Sequence, residues 1–165
     1  NEIGALAGFE KSGHFFFNRP IGRGYDDGLL TALTICGVLD RSPGMTMADV
    51  YDALPHTFGS PTMSAHSDDE LKYGVVEKVS ERFAWMFQAG EKVGGHRIVD
   101  LVTVNGVRVV TDDGTWGLVR ASSNKPELVV VVESPVSDAR LREMFAAVDG
   151  VLRENPGIGR YNQTI

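Results

Sequence analysis

The sequence is poor in the features that mark several large classes of protein. It has one cysteine, Cys36, which excludes an internal disulfide framework and suits a reducing cytoplasm. Its formal net charge is −6, whereas nucleic acids and anionic membranes are bound by basic faces. No apolar run approaches the roughly 20 residues of a membrane span, and internal repeats are absent. We therefore expect a cytoplasmic globular protein that binds neither nucleic acid nor membrane.

A polar segment near the start, Gly8-Phe9-Glu10-Lys11-Ser12-Gly13-His14, is the first candidate site. It places an acceptor (Glu10), a hydroxyl (Ser12) and an imidazole (His14) at alternate positions. If the segment is extended, all three side chains emerge on one side, as vicinal hydroxyls of a sugar require. The alternative is a surface turn with incidental polarity.

A second polar segment, residues 120–126, combines a guanidinium, two hydroxyls, an amide and a run of backbone N–H groups. This donor-rich set is what a phosphate dianion needs. The candidate phosphate ligands are Arg120, Ser122, Ser123, Asn124 and Lys125. The alternative is a polar loop in which Arg120 pairs with a neighbouring acid.

Other patterns favour structural roles. Ser12 and His14 lack the nucleophile elbow of a hydrolase. The histidines other than His14 have no cysteine or carboxylate at zinc-ligand spacing, and the acidic turn at residues 112–114 lacks a calcium ladder. No metal site is expected in this chain. Asp26 and Asp27 are read as helix caps rather than metal ligands, and Cys36 as a buried structural thiol.

The two polar segments resemble signature loops of the α-D-phosphohexomutase family, the phosphomannomutase/phosphoglucomutase enzymes. The family has a Gly-x-Glu-x-Ser-Gly-His loop in its third domain and an Arg-Ala-Ser-Asn-Thr-x-Pro-like loop in its fourth. The chain departs from them at Phe9 and at Lys125. The resemblance covers nearly the whole chain and corresponds to the C-terminal part of the family.

The resemblance implies the substrate-recognition half of an enzyme that interconverts hexose 6-phosphate and hexose 1-phosphate, of mannose or glucose. The reaction runs through a phosphoserine enzyme and a bisphosphate intermediate, with Mg²⁺. Neither the family's Thr-Ala-Ser-His-Asn-Pro loop nor its Asp-Gly-Asp-Gly-Asp-Arg loop occurs here. We therefore expect Mg²⁺ to bind outside this chain, the N-terminal domains of a parent enzyme to be partners, and the chain alone to be inactive. His14 is expected to assist proton transfer.

A rival hypothesis is a free-standing, non-enzymatic module that binds phosphorylated ligands. Codons upstream of Asn1 that encode the serine and metal loops would favour the enzyme, and an initiator there would favour the module.

The fold class expected is α+β, in two parts. Residues 1–54 are predicted to be the C-terminal remnant of a sugar-recognition α/β domain, with strands at 3–9 and 15–17, a helix from Asp26 or Asp27 to about Leu39, and a short helix at 47–54. With so few strands, residues 3–17 are expected to self-associate.

Residues 55–165 are predicted to form a phosphate-binding domain, an antiparallel sheet with two helices packed on it, like the family's TATA-binding-protein-like C-terminal domain. A capping box at Ser67–Glu70 is expected to start one helix, whose apolar stripe is Leu71, Val75, Val79, Phe83 and Phe87. Asn105-Gly106 predicts a type I′ hairpin turn, and Ser137 a cap for the last helix. Residues after Gly157 are expected to form a mobile tail.

Overall fold

The computed structural model describes residues 4–10 and 13–165, and it divides into two compact units, Asn1–Leu54 and Pro55–Ile165. Within the described residues, none of the helices combines the length and the apolar character needed to cross a membrane.

The first unit contains a two-stranded antiparallel sheet and two helices. Strands β1 (Ala7–Phe9) and β2 (Phe15–Phe17) pair in the register Ala7↔Phe17 to Phe9↔Phe15. Helix α1 (Gly28–Asp40) follows, capped by Asp27, whose side chain accepts a hydrogen bond from the Leu30 amide at 3.0 Å. Helix α2 (Met47–Asp52) begins with a capping box of Thr46 and Asp49. Both helices are near their predicted positions, but Asp26 does not cap α1.

The apolar face of α1 is exposed, which corrects the prediction for Cys36. This thiol is exposed, and no residue of α1 is buried. Leu29 and Leu33 are 73% and 63% exposed. An apolar stripe is buried only where a second layer packs on it, and the described residues place no such layer over α1. Apolar neighbours in sequence therefore did not make Cys36 a core residue.

The second unit is an antiparallel sheet with helices α3 (Lys72–Ala89) and α4 (Asp138–Arg153) packed on it. The strands are β3 (Phe58–Gly59), β4 (Met63–His66), β5 (Lys92–Val93), β6 (His96–Val102), β7 (Val107–Thr111), β8 (Trp116–Ala121) and β9 (Glu127–Ser134). They run in the spatial order β3-β9-β8-β7-β6-β5, and β4 also pairs with β9. This arrangement confirms the α+β class and the antiparallel sheet with two helices.

Alternate residues of the central strands form the core with one face of each helix. Val107, Val109 and Val119 are buried on the sheet, and Phe83 and Met144 are buried on the helices. Helix α4 packs closely on β8 at Gly117, because a Cβ there would lie 2.6 Å from Val148 Cγ2. The hydrophobic effect therefore fixes the sheet against both helices and determines where the β8–β9 loop emerges.

Helix α3 departs from its predicted start and stripe. It begins at Lys72, and its N-cap, Leu71, has no side-chain hydrogen bond, so the capping box at Ser67–Glu70 was wrong. Leu71 and Phe87 are 53% and 43% exposed. A spacing of four advances about 40° beyond each turn, so both ends of a long stripe rotate off the core. Met86, three residues after Phe83, is buried instead.

Two further expectations were wrong. The β6–β7 turn is not type I′, because only Gly106 has a positive φ (+106°) there and that turn needs two such residues. The C-terminal segment is packed rather than detached: Tyr161 bridges to Ala65, the Asn162 amide donates to Ser64 O at 2.9 Å, and Arg153 donates to the carbonyls of Ile158 and Gly159.

Candidate functional site

The donor loop, residues 120–126, joins strands β8 and β9 at one end of the sheet. Its base is closed by a 2.9 Å hydrogen bond from the Ser122 amide to Glu127 O. The Glu127 amide in turn donates to Lys125 O at 2.8 Å. Ser122 is half-buried, whereas Ser123, Asn124 and Lys125 are exposed. The packed strands therefore hold a short, polar, solvent-facing loop.

The polar side chains of the donor loop lie close to one another. Ser123 Oγ donates to Asn124 Oδ1 at 2.6 Å, and the Asn124 amide donates weakly to Ser122 Oγ at 3.4 Å. These contacts are local to the loop, so an entering anion can replace them with its own oxygens. The structure thus brings together Ser122, Ser123 and Asn124 as the sequence predicts.

Arg120 lies at the start of the donor loop, in β8. Within the described residues its guanidinium makes one hydrogen bond, from Nη1 to Ala121 O at 3.3 Å, and no ion pair with a carboxylate. The described residues therefore do not form the alternative arrangement, in which Arg120 pairs with a neighbouring acid. Gly106 borders Arg120, because a Cβ there would lie 2.7 Å from Arg120 Cβ and 2.3 Å from Val119 O.

Two residues outside the donor loop, Ser67 and Lys72, hold its far end. The Ser67 amide, predicted to start a capping box, donates to Pro126 O at 2.9 Å. Lys72 Nζ donates to Lys125 O at 3.0 Å. Both contacts span more than fifty residues of sequence, so no local pattern could have revealed them.

The described residues of the first polar segment lie at the tip of the N-terminal hairpin, whose strands are β1 (residues 7–9) and β2 (residues 15–17). The chain reverses direction there, contrary to the extended conformation considered above: the Glu10 amide donates to His14 O, and the Gly13 amide donates to Glu10 O, each at 2.9 Å. Gly13, with φ +92°, supplies the left-handed conformation that the reversal requires. Glu10 and His14 therefore sit across the hairpin from each other. Ser12 lies outside the described residues.

His14 is held by Asp26. Its Nδ1 lies 2.5 Å from Asp26 Oδ2, and the Phe15 amide donates to Asp26 Oδ1 at 3.3 Å. The hydrogen bond to Asp26 raises the pKa of His14, with further contributions from the charges of Asp26 and Glu10. The same hydrogen bond lowers the pKa of Asp26. Because Nδ1 faces Asp26, Nε2 is the ring nitrogen left to meet a ligand.

The contact of Asp26 with His14 was not predicted, because a pair of acidic residues before a helix is typical of helix capping. Asp27 does cap α1, but Asp26 is turned toward the hairpin by its bridge to Phe16. The signal that could have predicted it is a helix that starts soon after a hairpin. Of two adjacent carboxylates at such a start, one can cap the helix while the other faces the strands.

Comparison with known proteins assigns both units to one family. Residues 1–58 match phosphoglucomutase/phosphomannomutase, alpha/beta/alpha domain III, and residues 69–151 match phosphoglucomutase/phosphomannomutase, C-terminal domain. The chain belongs to the phosphoglucomutase/phosphomannomutase family. These are phosphomutases, a group of isomerases.

Similar proteins include two bacterial enzymes and one solved structure. The Phosphomannomutase/phosphoglucomutase of Pseudomonas syringae pv. tomato is 32% identical over 79% of this chain and 25% of the relative. That of Pseudomonas aeruginosa PAO1 is 30% identical over 87% of this chain and 28% of the relative. A crystal structure of a family protein from Burkholderia thailandensis is 27% identical with a TM-score of 0.72, over 98% of this chain and 31% of that one. The chain thus spans about a quarter of the length of the two Pseudomonas enzymes.

Mg²⁺, which the family resemblance implies, finds no fitting set of ligands in the described residues. The one cluster of potential ligands found there is His96, Asp112 and Asp113. Asp113 is engaged by Arg140 Nε at 2.7 Å and by Thr115 Oγ1 at 3.0 Å. Burial would raise the pKa of Asp113, but hydrogen bonds from Thr111, Thr115 and Arg140 hold it well below the ordinary value. A carboxylate neutralised by a buried guanidinium, beside a nitrogen ligand, does not suit a cation that prefers open oxygen ligands.

Proposed function

We propose that this chain is the substrate-recognition half of a phosphohexomutase. The proposed reaction interconverts hexose 6-phosphate and hexose 1-phosphate of mannose or glucose, through a phosphoserine enzyme and a bisphosphate intermediate. The observation that carries the proposal is the donor loop: its donors are gathered on a packed sheet, and within the described residues Arg120 forms no ion pair with a carboxylate.

The donor loop would bind the phosphate that is not reacting. Arg120 offers a planar fork that matches two phosphate oxygens, and Ser122, Ser123 and Asn124 add hydroxyl and amide donors. Lys125 is exposed at the loop's tip and adds positive charge. In a protein of net charge −6, such a local excess of donors favours binding of a dianion at this place rather than over the surface generally.

The N-terminal hairpin would bind the sugar. Glu10, with Ser12, accepts and donates hydrogen bonds to hydroxyls, and His14 presents Nε2. Asp26 stabilises the protonated form of His14, so the imidazole can take a proton from a substrate hydroxyl and return it. The chain's own residues thereby orient the substrate and move one proton.

The transferred phosphoryl group and Mg²⁺ would be held by residues outside this chain, in the N-terminal domains of a parent enzyme. The 165-residue chain by itself is then expected to lack mutase activity. Turnover of mannose 1-phosphate or glucose 1-phosphate by the purified chain would contradict this division.

The competing candidate is a free-standing module that binds phosphorylated ligands without chemistry. It shares the donor loop but gives no reason for a histidine held by a carboxylate at the hairpin. The 2.5 Å contact between His14 and Asp26 therefore favours the enzyme.

Calorimetric titration of the chain with glucose 6-phosphate tests the proposal. Arg120→Met should weaken binding about tenfold or more, because a charge-assisted contact to the dianion is lost. Arg108→Met is the matched control, since Arg108 is exposed on the same sheet face and stacks on Trp116, 5.2 Å from the ring centroid. Equal losses in the two variants would show general electrostatic attraction and contradict a phosphate site at the donor loop.

A further inference from the structure

Lys72 is a lysine in an unusual place. It is the first residue of α3, and its side chain is only 4% exposed. Burying an ammonium group is strongly unfavourable unless charge and hydrogen-bond partners replace water. Lys72 has both: Nζ lies 2.6 Å from Asp69 Oδ1 and 3.0 Å from Lys125 O, and 5.2 Å from the centroid of the Tyr73 ring.

The position of Lys72 is not explained by the stability of α3. A helix start carries a partial positive charge and favours carboxylates, so a cation in the first turn is unfavourable there. The helix also begins without a side-chain cap. What the ammonium does provide is a link between the start of α3 and a loop 53 residues away.

The contact determines which way part of the donor loop faces. Lys125 O accepts from both Lys72 Nζ and the Glu127 amide, so this carbonyl points into the protein. A carbonyl oxygen turned toward an anion would repel it, whereas N–H and O–H groups attract it. The contacts among Ser122, Ser123 and Asn124 are local to the loop, and the Ser67 amide ties Pro126 O, one residue farther along, to the segment before α3. Lys72 adds a charged side chain of α3 to that end of the loop.

We propose that Lys72 is a positioning residue for phosphate binding: its buried ammonium anchors the Lys125 carbonyl inward and so keeps the donors of residues 120–126 turned outward. The inference rests on the proposed function of the donor loop. Lys72 contacts the backbone of the loop and acts through it. Loss of its ammonium group should therefore alter the conformation of the loop more than the stability of the fold.

The test uses the full 165-residue chain with Lys72→Met, which keeps the apolar stem and removes the ammonium. Lys78→Met is the matched control, because Lys78 lies on the same helix and is exposed. Three quantities are measured: inorganic phosphate affinity by NMR titration, hydrogen exchange of the Ser122 and Glu127 amides, and the thermal midpoint. We expect Lys72→Met to bind phosphate about tenfold more weakly and to exchange these amides faster, while the amides of β7 keep their protection.

Lys72→Arg should restore most of the affinity, because a guanidinium can still donate to Asp69 and to the Lys125 carbonyl. If Lys72→Met does not fold, Lys72→Leu, which also lacks a donor for the Lys125 carbonyl, replaces it and should show the same losses. Unchanged affinity and unchanged loop exchange in a folded variant without the ammonium would overturn the role of Lys72. If the unaltered chain binds no phosphate, the proposed function of the loop fails, and with it the phosphate role of Lys72; the exchange of the loop amides then still decides whether Lys72 anchors the loop.

Discussion

The two units of the chain use similar apolar sequences differently. The hydrophobic side chains that are buried in the described residues all belong to the second unit, from Met63 to Leu152, and none belongs to residues 4–54. Helix α1 contains four leucines and α3 contains three valines, yet α1 has no buried residue and α3 has five. An apolar face becomes core only where another layer covers it.

The difference extends to the candidate sites. The donor loop projects from paired strands backed by two helices, so its geometry is supported by a core. The N-terminal hairpin is a two-stranded sheet, which is marginal as an isolated element. Its local order depends on contacts such as those of Asp26 with His14 and Phe15.

The largest expected effect compares one core position with one exposed position. Phe83→Ala removes a fully buried side chain and should lower the free energy of unfolding of the second unit by about 3–5 kcal/mol. Leu33→Ala, on the exposed face of α1, should change the free energy of unfolding of the first unit by no more than about 0.5 kcal/mol. Urea unfolding followed by far-ultraviolet circular dichroism measures both, and comparable losses would contradict the contrast between the units.

A smaller effect compares the two candidate sites in a full-length parent enzyme. Arg120→Ala should weaken phosphosugar binding by about 1–3 kcal/mol, and Glu10→Ala by about 1 kcal/mol. The reason is that a charge-assisted contact with a dianion outweighs a contact with one neutral hydroxyl. Dissociation constants from calorimetry decide, and equal losses would count against these roles.

The N-terminal hairpin should also make the chain associate with itself. In the described part its two strands form a two-stranded sheet, with one isolated bridge from Phe16 to Asp26, and Phe9 in β1 is 74% exposed. Unpaired strand edges next to apolar surface recruit further strands. Sedimentation velocity should therefore show dimers of the full chain at high concentration, whereas a chain starting at Pro55 stays monomeric. A monomeric full chain with slowly exchanging amides at residues 4–10 and 13–17 would refute this.

The smallest effect is on the titration of His14. Asp26→Asn should lower the pKa of His14, because its main stabilising hydrogen bond and charge are lost. The raised pKa of His14 contributes stability at acidic pH that is lost as pH rises through that value, and the lowered pKa of Asp26 contributes stability that is lost as pH falls through its own. The pair is thus most effective between the two pKa values.

NMR titration of the His14 ring measures this shift. Asp27→Asn is the control, because Asp27 caps α1 and Asn is also a good cap. A His14 pKa that is the same in Asp26→Asn and in the unaltered chain would show that the contact has no electrostatic effect.

Features set by local chemistry could be predicted from the sequence. The Ser137 cap of α4, the left-handed Gly90 that ends α3, and the turn at Gly114 all follow from the conformational preferences of single residues. The donor loop was proposed from its composition of hydrogen-bond donors, and its role in binding phosphate stays a prediction.

Features set by long-range packing could not be predicted. The exposure of Cys36 depends on what covers α1. The roles of Asp26 and Lys72 depend on contacts 12 and 53 residues away. Cys36 and Asp26 also had a local explanation in the sequence, which the tertiary structure overrode.

The central claim is that the second unit binds phosphate by itself. Titration of a chain of residues 55–165 with inorganic phosphate tests this claim most directly. We expect a cooperatively folded chain whose dissociation constant matches that of the 165-residue chain, because Arg120, the donor loop and Lys72 are all contained in it. A folded chain of residues 55–165 that binds no phosphate, while the full chain does, would contradict the account.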